Sequence, residues 1–188
     1  MEVAASLTHD TSSADTKRML LNSAKTNAHY RLRSWTADVS VGHAFALGSG
    51  WNLRPEVGFT HISSRRGAAR ETGGGPLSLV VDARRTKASF ISGAFTLQGK
   101  NDAVIRPRLS AGLRHQLAGE AGYASAALAG ATTRLNVPGA ERDRTLATVS
   151  AGATAIVSPG MKLFFGLNSE FGADSSGEGA NVGFQMRF

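Results

Sequence analysis

The chain has 188 residues, a formal net charge of +7, 22 glycines and no cysteine, and only 7% of its residues are aromatic. That length suits one domain with a sizeable core or wall. The composition excludes a disulfide framework and a cysteine nucleophile, and no apolar run approaches the ~18 residues of a transmembrane helix. The mean hydropathy of -0.13 does not exclude a membrane β-barrel, whose alternating faces average toward zero in any window.

Turn-rich clusters cut the chain into strand-length pieces at fairly regular spacing, which predicts an all-β fold of about ten strands and no helix. Residues 2–9 form the first predicted strand, ended by His9-Asp10-Thr11-Ser12-Ser13, and residues 17–30 form a second with poorer alternation. Over 34–47, Trp35, Ala37, Val39, Val41, Phe45 and Leu47 share one face, and Thr36, Asp38, Ser40 and Gly42 share the other. Gly48-Ser49-Gly50 makes a tight turn. In the next strand Trp51, Leu53, Val57 and Phe59 alternate with Asn52, Arg54, Glu56 and Thr60. Pro55 inside that run predicts a bulge, because proline offers no N–H to a ladder.

Residues 64–83, including Arg70-Glu71-Thr72-Gly73-Gly74-Gly75-Pro76, read as the longest irregular stretch, of the kind found in functional, mobile or externally exposed loops. Strands follow at about 84–98, 103–117, 122–136, 143–157, 160–173 and 178–188. Within 103–117, Ala103, Ile105, Leu109, Ala111 and Leu113 share one face, and Arg106, Arg108, Ser110, Arg114 and Gln116 the other. Within 160–173, Leu163, Phe165, Leu167 and Phe171 oppose Lys162, Asn168 and Glu170. The alanine-rich run 121–131 has helical propensity, but Gly122, Tyr123 and Gly130 and the strand patterns on either side favour a strand.

The final residues alternate most clearly. Ala180, Val182, Phe184, Met186 and Phe188 fall on one face of an extended strand, and Asn181, Gly183, Gln185 and Arg187 on the other. A strand that is apolar outside and arginine-bearing inside suits lipid on one face and a wet lumen on the other. Short turns at 48–50 and 158–160 set against long connections near 64–83 and 136–142 match the short periplasmic turns and longer outer loops of outer-membrane barrels. The terminal stretch resembles the C-terminal assembly signal of such barrels, with Asn181, Gly183, Met186 and Phe188 in its places.

Further resemblance runs across most of the chain, to the C-terminal β-domain of autotransporters (type V secretion). Its carriers are Trp35-Thr36-Ala37-Asp38-Val39-Ser40-Val41-Gly42-His43-Ala44-Phe45, Trp51-Asn52-Leu53-Arg54-Pro55-Glu56-Val57-Gly58-Phe59, Ile105-Arg106-Pro107-Arg108-Leu109 and the turn Leu135-Asn136-Val137-Pro138-Gly139-Ala140-Glu141-Arg142-Asp143. The resemblance implies an antiparallel up-and-down transmembrane β-barrel over residues 1–188, with about ten of the usual twelve strands and no separate second domain. It further implies residence in the bacterial outer membrane and a translocator role, anchoring or exporting an N-terminal passenger through a polar lumen. The expected lining is Arg106, Arg108, Ser110, Arg114, Gln116, Asn168, Glu170, Asn181, Gln185 and Arg187. The expected partners are outer-membrane lipid, the barrel assembly machinery and a covalently linked passenger. No signal peptide opens the sequence, so a truncated β-domain, cut from a longer precursor, is the expectation.

Two other readings stay open from residues alone: a structural or adhesive barrel without transport, and a soluble β-sandwich binding module. Nucleic acid is not an expected partner, because the basic residues are dispersed in pairs such as Arg65-Arg66 and Arg84-Arg85 rather than clustered among aromatics. His9, His29, His43, His61 and His115 lack metal-ligand spacing, and no nucleophile elbow or P-loop is present. Asp38, Glu56 and Glu170 are expected to face inward. Self-cleavage of a passenger is one use for such acids, and ion pairing with Arg54, Arg106 and Arg108 is the expected one. No catalytic residue, metal or cofactor is assigned.

Overall fold

The structure, a computed structural model, describes residues 1–20, 25–99, 103–119, 123–139 and 143–187. Its strands are β1 Glu2–Met19, β2 Lys25–Gly42, β3 Phe45–Leu47, β4 Trp51–Arg66, β5 Ala69–Arg70, β6 Leu79–Val81, β7 Arg84–Gly99, β8 Ile105–Gly119, β9 Tyr123–Leu128, β10 Leu135–Pro138, β11 Thr145–Ser158, β12 Met161–Phe171 and β13 Ser176–Met186. Every pairing is antiparallel. Eight long strands form one sheet in the order β1-β2-β4-β7-β8-β11-β12-β13, with β3 also on β4. That sheet is an up-and-down meander curled into a half-barrel. The all-β antiparallel architecture expected of the sequence is present, and β1 and β13 are the two sheet edges among the described residues.

Strand boundaries depart from expectation in four places. The turn expected at His9–Ser13 lies inside β1, which continues to Met19 in register with β2, Asp10 opposite Ser34 and Ser13 opposite Arg31. Polar residues there mark the part of a strand that outruns the apolar band, and no glycine or proline interrupts the ladder. The pieces expected at 17–30 and 34–47 are correspondingly divided between β1, β2 and β3. Pro55 makes no bulge. The β2–β4 pairing ends at Gly42↔Glu56 and β3–β4 resumes at Phe45↔Leu53 in unchanged register, so the ladder is interrupted without an extra residue. The stretch 64–83 is ordered: β4 runs to Arg66, and β5, a 3-10 turn at Gly75–Leu77 and β6 follow. Finally, the strand expected at 122–136 is two, β9 and β10. They form a second sheet in the order β10-β9-β6-β5.

The main sheet has an inverted distribution of polarity. On one face stand Val39, Val57, Phe95, Leu109, Leu113, Phe165, Leu167 and Phe184, all exposed, with Leu113 at 59% and Phe165 at 54%. Buried apolar residues among those described are only Ala28, Ala69 and Ala127. A water-soluble domain of this size hides its large apolar side chains in a core, and a contiguous exposed apolar band of this extent marks a lipid or partner surface. The opposite face carries Ser, Thr, Asn, Arg and Glu that reach one another across strands. Side chains so engaged belong to the concave side of a curled sheet, where neighbouring residues converge.

The two ends differ as well. One end holds the short Leu47–Trp51 and Ser158–Met161 connections, and the other holds the long links between β4 and β7 and between β8 and β11. The second sheet is built from those long links.

Candidate functional site

Three rows of polar contacts line the concave face. Near the short-turn end, Glu2 and Glu56 flank Gly42 across β1, β2 and β4. The Arg54 guanidinium lies over that glycine and pairs with both carboxylates, at 3.2 Å to Glu2 and 2.9 Å to Glu56. A Cβ at position 42 would stand 2.9 Å from Arg54 Nε, so glycine makes the space in which the ion pairs form. Two rows further on, Thr60 Oγ1 donates to Asp38 Oδ1 at 2.6 Å and Ser6 Oγ to Oδ2 at 3.4 Å. Across β7 and β8, Thr96 Oγ1 donates to Ser110 Oγ at 3.1 Å.

One contact on this face spans an intervening strand. Arg114 on β8 reaches over β11 and donates from Nη2 to Glu170 Oε2 on β12 at 2.7 Å. Its guanidinium also stacks on the Phe90 ring, 5.4 Å from the centroid. Strand spacing puts β8 and β12 ~9.6 Å apart along a flat sheet. The long arginine stem bridges that gap, and curvature shortens it.

The residues expected to line a lumen all fall on this face by strand parity. Ser110, Arg114 and Glu170 are engaged as described. Gln116 Nε2 donates to the Gly119 carbonyl at 3.2 Å, and Arg106 Nε to the Ala103 carbonyl at 3.2 Å. Asn168 and Asn181 lie against Gly179 and Gly166 on neighbouring strands. Arg108 and Arg187 have no ion-pair partner among the described residues. Gln185 is opposite Lys162, and the Arg187 N–H donates to the Gly160 carbonyl at 2.8 Å. Of the inward acids, Glu56 thus pairs with Arg54 and Glu170 with Arg114, whereas Asp38 accepts from hydroxyls, and Arg106 and Arg108 pair with no acid among the described residues.

Of the expected assembly-signal positions, Asn181 and Gly183 share the polar face, Met186 is on the apolar face, and Phe188 lies outside the described residues. Gly183 is opposite Phe164, whose ring covers the place a Cβ would take. Phe164 thus points to the polar face within the run Leu163-Phe164-Phe165, a placement that hydrophobicity alone does not reveal.

At the long-link end, the segment 71–79 is latched to the tip of the β1–β2 hairpin. Arg18 grips the Glu71 carboxylate with Nε at 3.0 Å and Nη2 at 2.6 Å, and Nη2 also donates to the Leu77 carbonyl at 3.0 Å. The Leu79 N–H donates to Glu71 Oε2 at 2.8 Å. Asn27 and Thr72 exchange backbone bonds at 3.1 and 2.9 Å, over a fully buried Thr26. Hydrogen bonding from Arg18 holds the Glu71 carboxyl below its ordinary range, aided by the Leu79 amide and the charge of Arg18. Asp82 ties the two long links together. It pairs with Arg134, its carbonyl accepts from Arg66 at 3.0 Å, and its N–H donates to the Ser125 carbonyl at 3.0 Å. Just before β11, Asp143 accepts from Ser175 Oγ at 2.7 Å and from the Asp174 N–H at 2.8 Å, which lowers its pKa in the same sense.

No group of His, Asp or Glu among the described residues is arranged to hold a metal ion. No curated protein matches the chain closely. The family model described as Autotransporter beta-domain matches residues 1–168, which takes in every long strand but β13 and the end of β12. The chain belongs to the autotransporter β-domain family, a family of bacterial outer-membrane translocator barrels rather than of catalysts.

Proposed function

We propose that residues 1–188 act as one outer-membrane translocator β-domain, which anchors or exports an N-terminal passenger along its polar concave face. The observation that carries this reading is the inverted polarity of the sheet: an exposed apolar band on one face and interstrand ion pairs and hydroxyl bonds on the other. Lipid requires the first, because no water is present to solvate polar groups. A passing unfolded chain requires the second, because its backbone N–H and C=O groups need partners at every residue. Arg106, Arg108, Ser110, Arg114, Gln116, Asn168, Glu170, Gln185 and Arg187 supply the wet lining. Asp38, Glu56 and Glu170 act there as acceptors, not as protease acids. The apolar band meets outer-membrane lipid, and the assembly machinery reads the terminal strand.

The test is a parent protein in which a signal peptide and a reporter passenger precede residue 1. Protease shaving of intact cells should remove the reporter while the β-domain stays in the outer-membrane fraction. A β-domain in that fraction with its reporter retained in the periplasm would support a structural barrel without transport. Recovery of both in the soluble fraction would sink the membrane reading.

A further inference from the structure

The apolar face of the main sheet is bordered at one end by a row of cations. Arg33 on β2, Arg65 on β4 and Arg85 on β7 are register partners. They occupy three adjacent strands, ~10 Å from first to last. Arg31 stands two residues beyond Arg33 on the same face, and Lys87 stands two residues inside Arg85. All five are exposed. Like charges directly opposite one another destabilise a sheet, and no acid relieves these: none has an ion-pair partner among the described residues. Arg85 Nε donates to Ser63 Oγ at 3.1 Å, a neutral partner. Asp15, on the same face of β1, is taken up by His29 at 2.8 Å.

Position makes the row informative. Moving down each strand on the same face, Arg33 is followed by Trp35, Ala37 and Val39 on β2, Arg65 by Ser63 and His61 and then Phe59 and Val57 on β4, and Arg85 by Lys87 and Ser89 and then Ile91 and Phe95 on β7. The cations therefore sit beyond an apolar band that begins at the Val39–Phe59–Ile91 row, across two mixed rows that hold Trp35 and Ala37 with Ser63, His61 and Ser89, a border region where interfacial aromatics are favoured. At the other end of this face the described strand residues include no lysine or arginine. The charged end is the one with the long links, the outward side of an outer-membrane barrel.

We infer that Arg33, Arg65 and Arg85, flanked by Arg31 and Lys87, form a binding site for the phosphate groups of outer-leaflet lipid, the phosphorylated glucosamine headgroup of lipid A. This rests on the membrane reading proposed above. A phosphate carries up to two negative charges and several acceptor oxygens, and the guanidinium fork meets it bidentately. Acyl chains of the same lipid would lie on the apolar band beneath. One ligand thus satisfies both the unneutralised row and the adjacent exposed hydrocarbon surface.

The experiment uses the full chain folded into nonionic detergent micelles, with Trp51→Phe so that emission reports Trp35 alone. Bisphosphorylated lipid A should shift that emission saturably. The same lipid stripped of phosphate, phosphatidylglycerol and free inorganic phosphate should each bind at least about tenfold more weakly, the effect of losing one or two charge-assisted contacts. R33Q/R65Q/R85Q should weaken lipid A binding by at least about tenfold, whereas R108Q/K162Q, which removes charge from the other face, should leave it unchanged. If the triple variant fails to enter micelles, R65Q alone, at the centre of the row, must still weaken binding several-fold. Equal binding of dephosphorylated lipid or phosphatidylglycerol would overturn the site, as would unchanged binding by the triple variant. Saturation by free phosphate at equal concentration would overturn the lipid source. A micelle-inserted chain whose Trp35 ignores lipid A would overturn this inference and leave the translocator reading standing. A chain that never enters micelles would overturn both.

Discussion

Replacing Glu71 by Gln should release the segment 71–79 from the hairpin tip while leaving the main sheet intact. The Glu71 side chain is only 11% exposed, and its carboxylate accepts two bonds from Arg18 and one from the Leu79 amide. Glutamine keeps the shape but loses the charge. Its one carbonyl oxygen cannot serve both Arg18 and Leu79 as the carboxylate does, and its NH2 would confront guanidinium donors. Hydrogen bonds to charged groups contribute about 1.5–3 kcal/mol each, and solvent access to the Arg18 side discounts that. A loss of about 1–2 kcal/mol for closure of the loop follows, or roughly a tenfold rise in its open population. Amide hydrogen exchange of the micelle-folded chain should show that rise at Leu79 and Thr72, with protection in β8 and β11 unchanged. The pH dependence has a definite sign. The folded-state pKa of Glu71 lies below its ordinary value, so its contribution is fully present above that ordinary value and disappears as pH falls through the folded one. Wild-type protection at Leu79 should therefore decline on acidification, after correction for intrinsic exchange, and that of E71Q should not. Equal protection in the two proteins at neutral pH would refute the latch.

Three further outcomes are expected. Phe188→Ser should lower the amount of a full-length parent in the outer membrane more than Arg187→Ser does, as read by fractionation and blotting, because an aromatic end is favoured at the membrane interface. Gly183→Val would drive a side chain into the Phe164 ring and should cost about 1–3 kcal/mol in a denaturant titration in detergent, with partial recovery in the Phe164→Ala background. The exposed edges of β1 and β13 are open templates for pairing. The isolated chain should accordingly lack a sharp heat-modifiable monomer band on gels, and such a band would show that the sheet closes.

Much of this architecture is legible as alternation. In β8 and β13 the period of two continues through the band, and in β12 it does so except at Phe164, so the partition of Leu109 from Ser110 and of Leu167 from Asn168 can be read from single strands. Where strands leave the band the signal disappears. Asp10 to Ser13 look like a turn because both faces are wet there, and only the partner strand shows that the ladder continues. The second sheet is harder still, because β5, β6, β9 and β10 have two to six residues each and β6 finds its partner in β9, more than forty residues later. The Arg18–Glu71 latch joins positions 53 residues apart, and the Arg33–Arg65–Arg85 row exists only once register is known. The inward acids are readable, and so is Arg54 as the partner of Glu56, two residues away on the same face of β4, but the partner of Glu170 is not. Glu170 takes Arg114 from across β11, because sheet curvature rather than sequence spacing decides which guanidinium can reach it.

The assignment of the apolar face to lipid is tested most directly by arginine substitution on adjacent residues of one strand. Leu109→Arg or Leu167→Arg should destabilise the chain by about 2–4 kcal/mol in a detergent or lipid folding titration if the site is near the bilayer midplane. Ser110→Arg and Asn168→Arg, one residue away and on the polar face, should cost far less. Equal losses on the two faces would contradict the account.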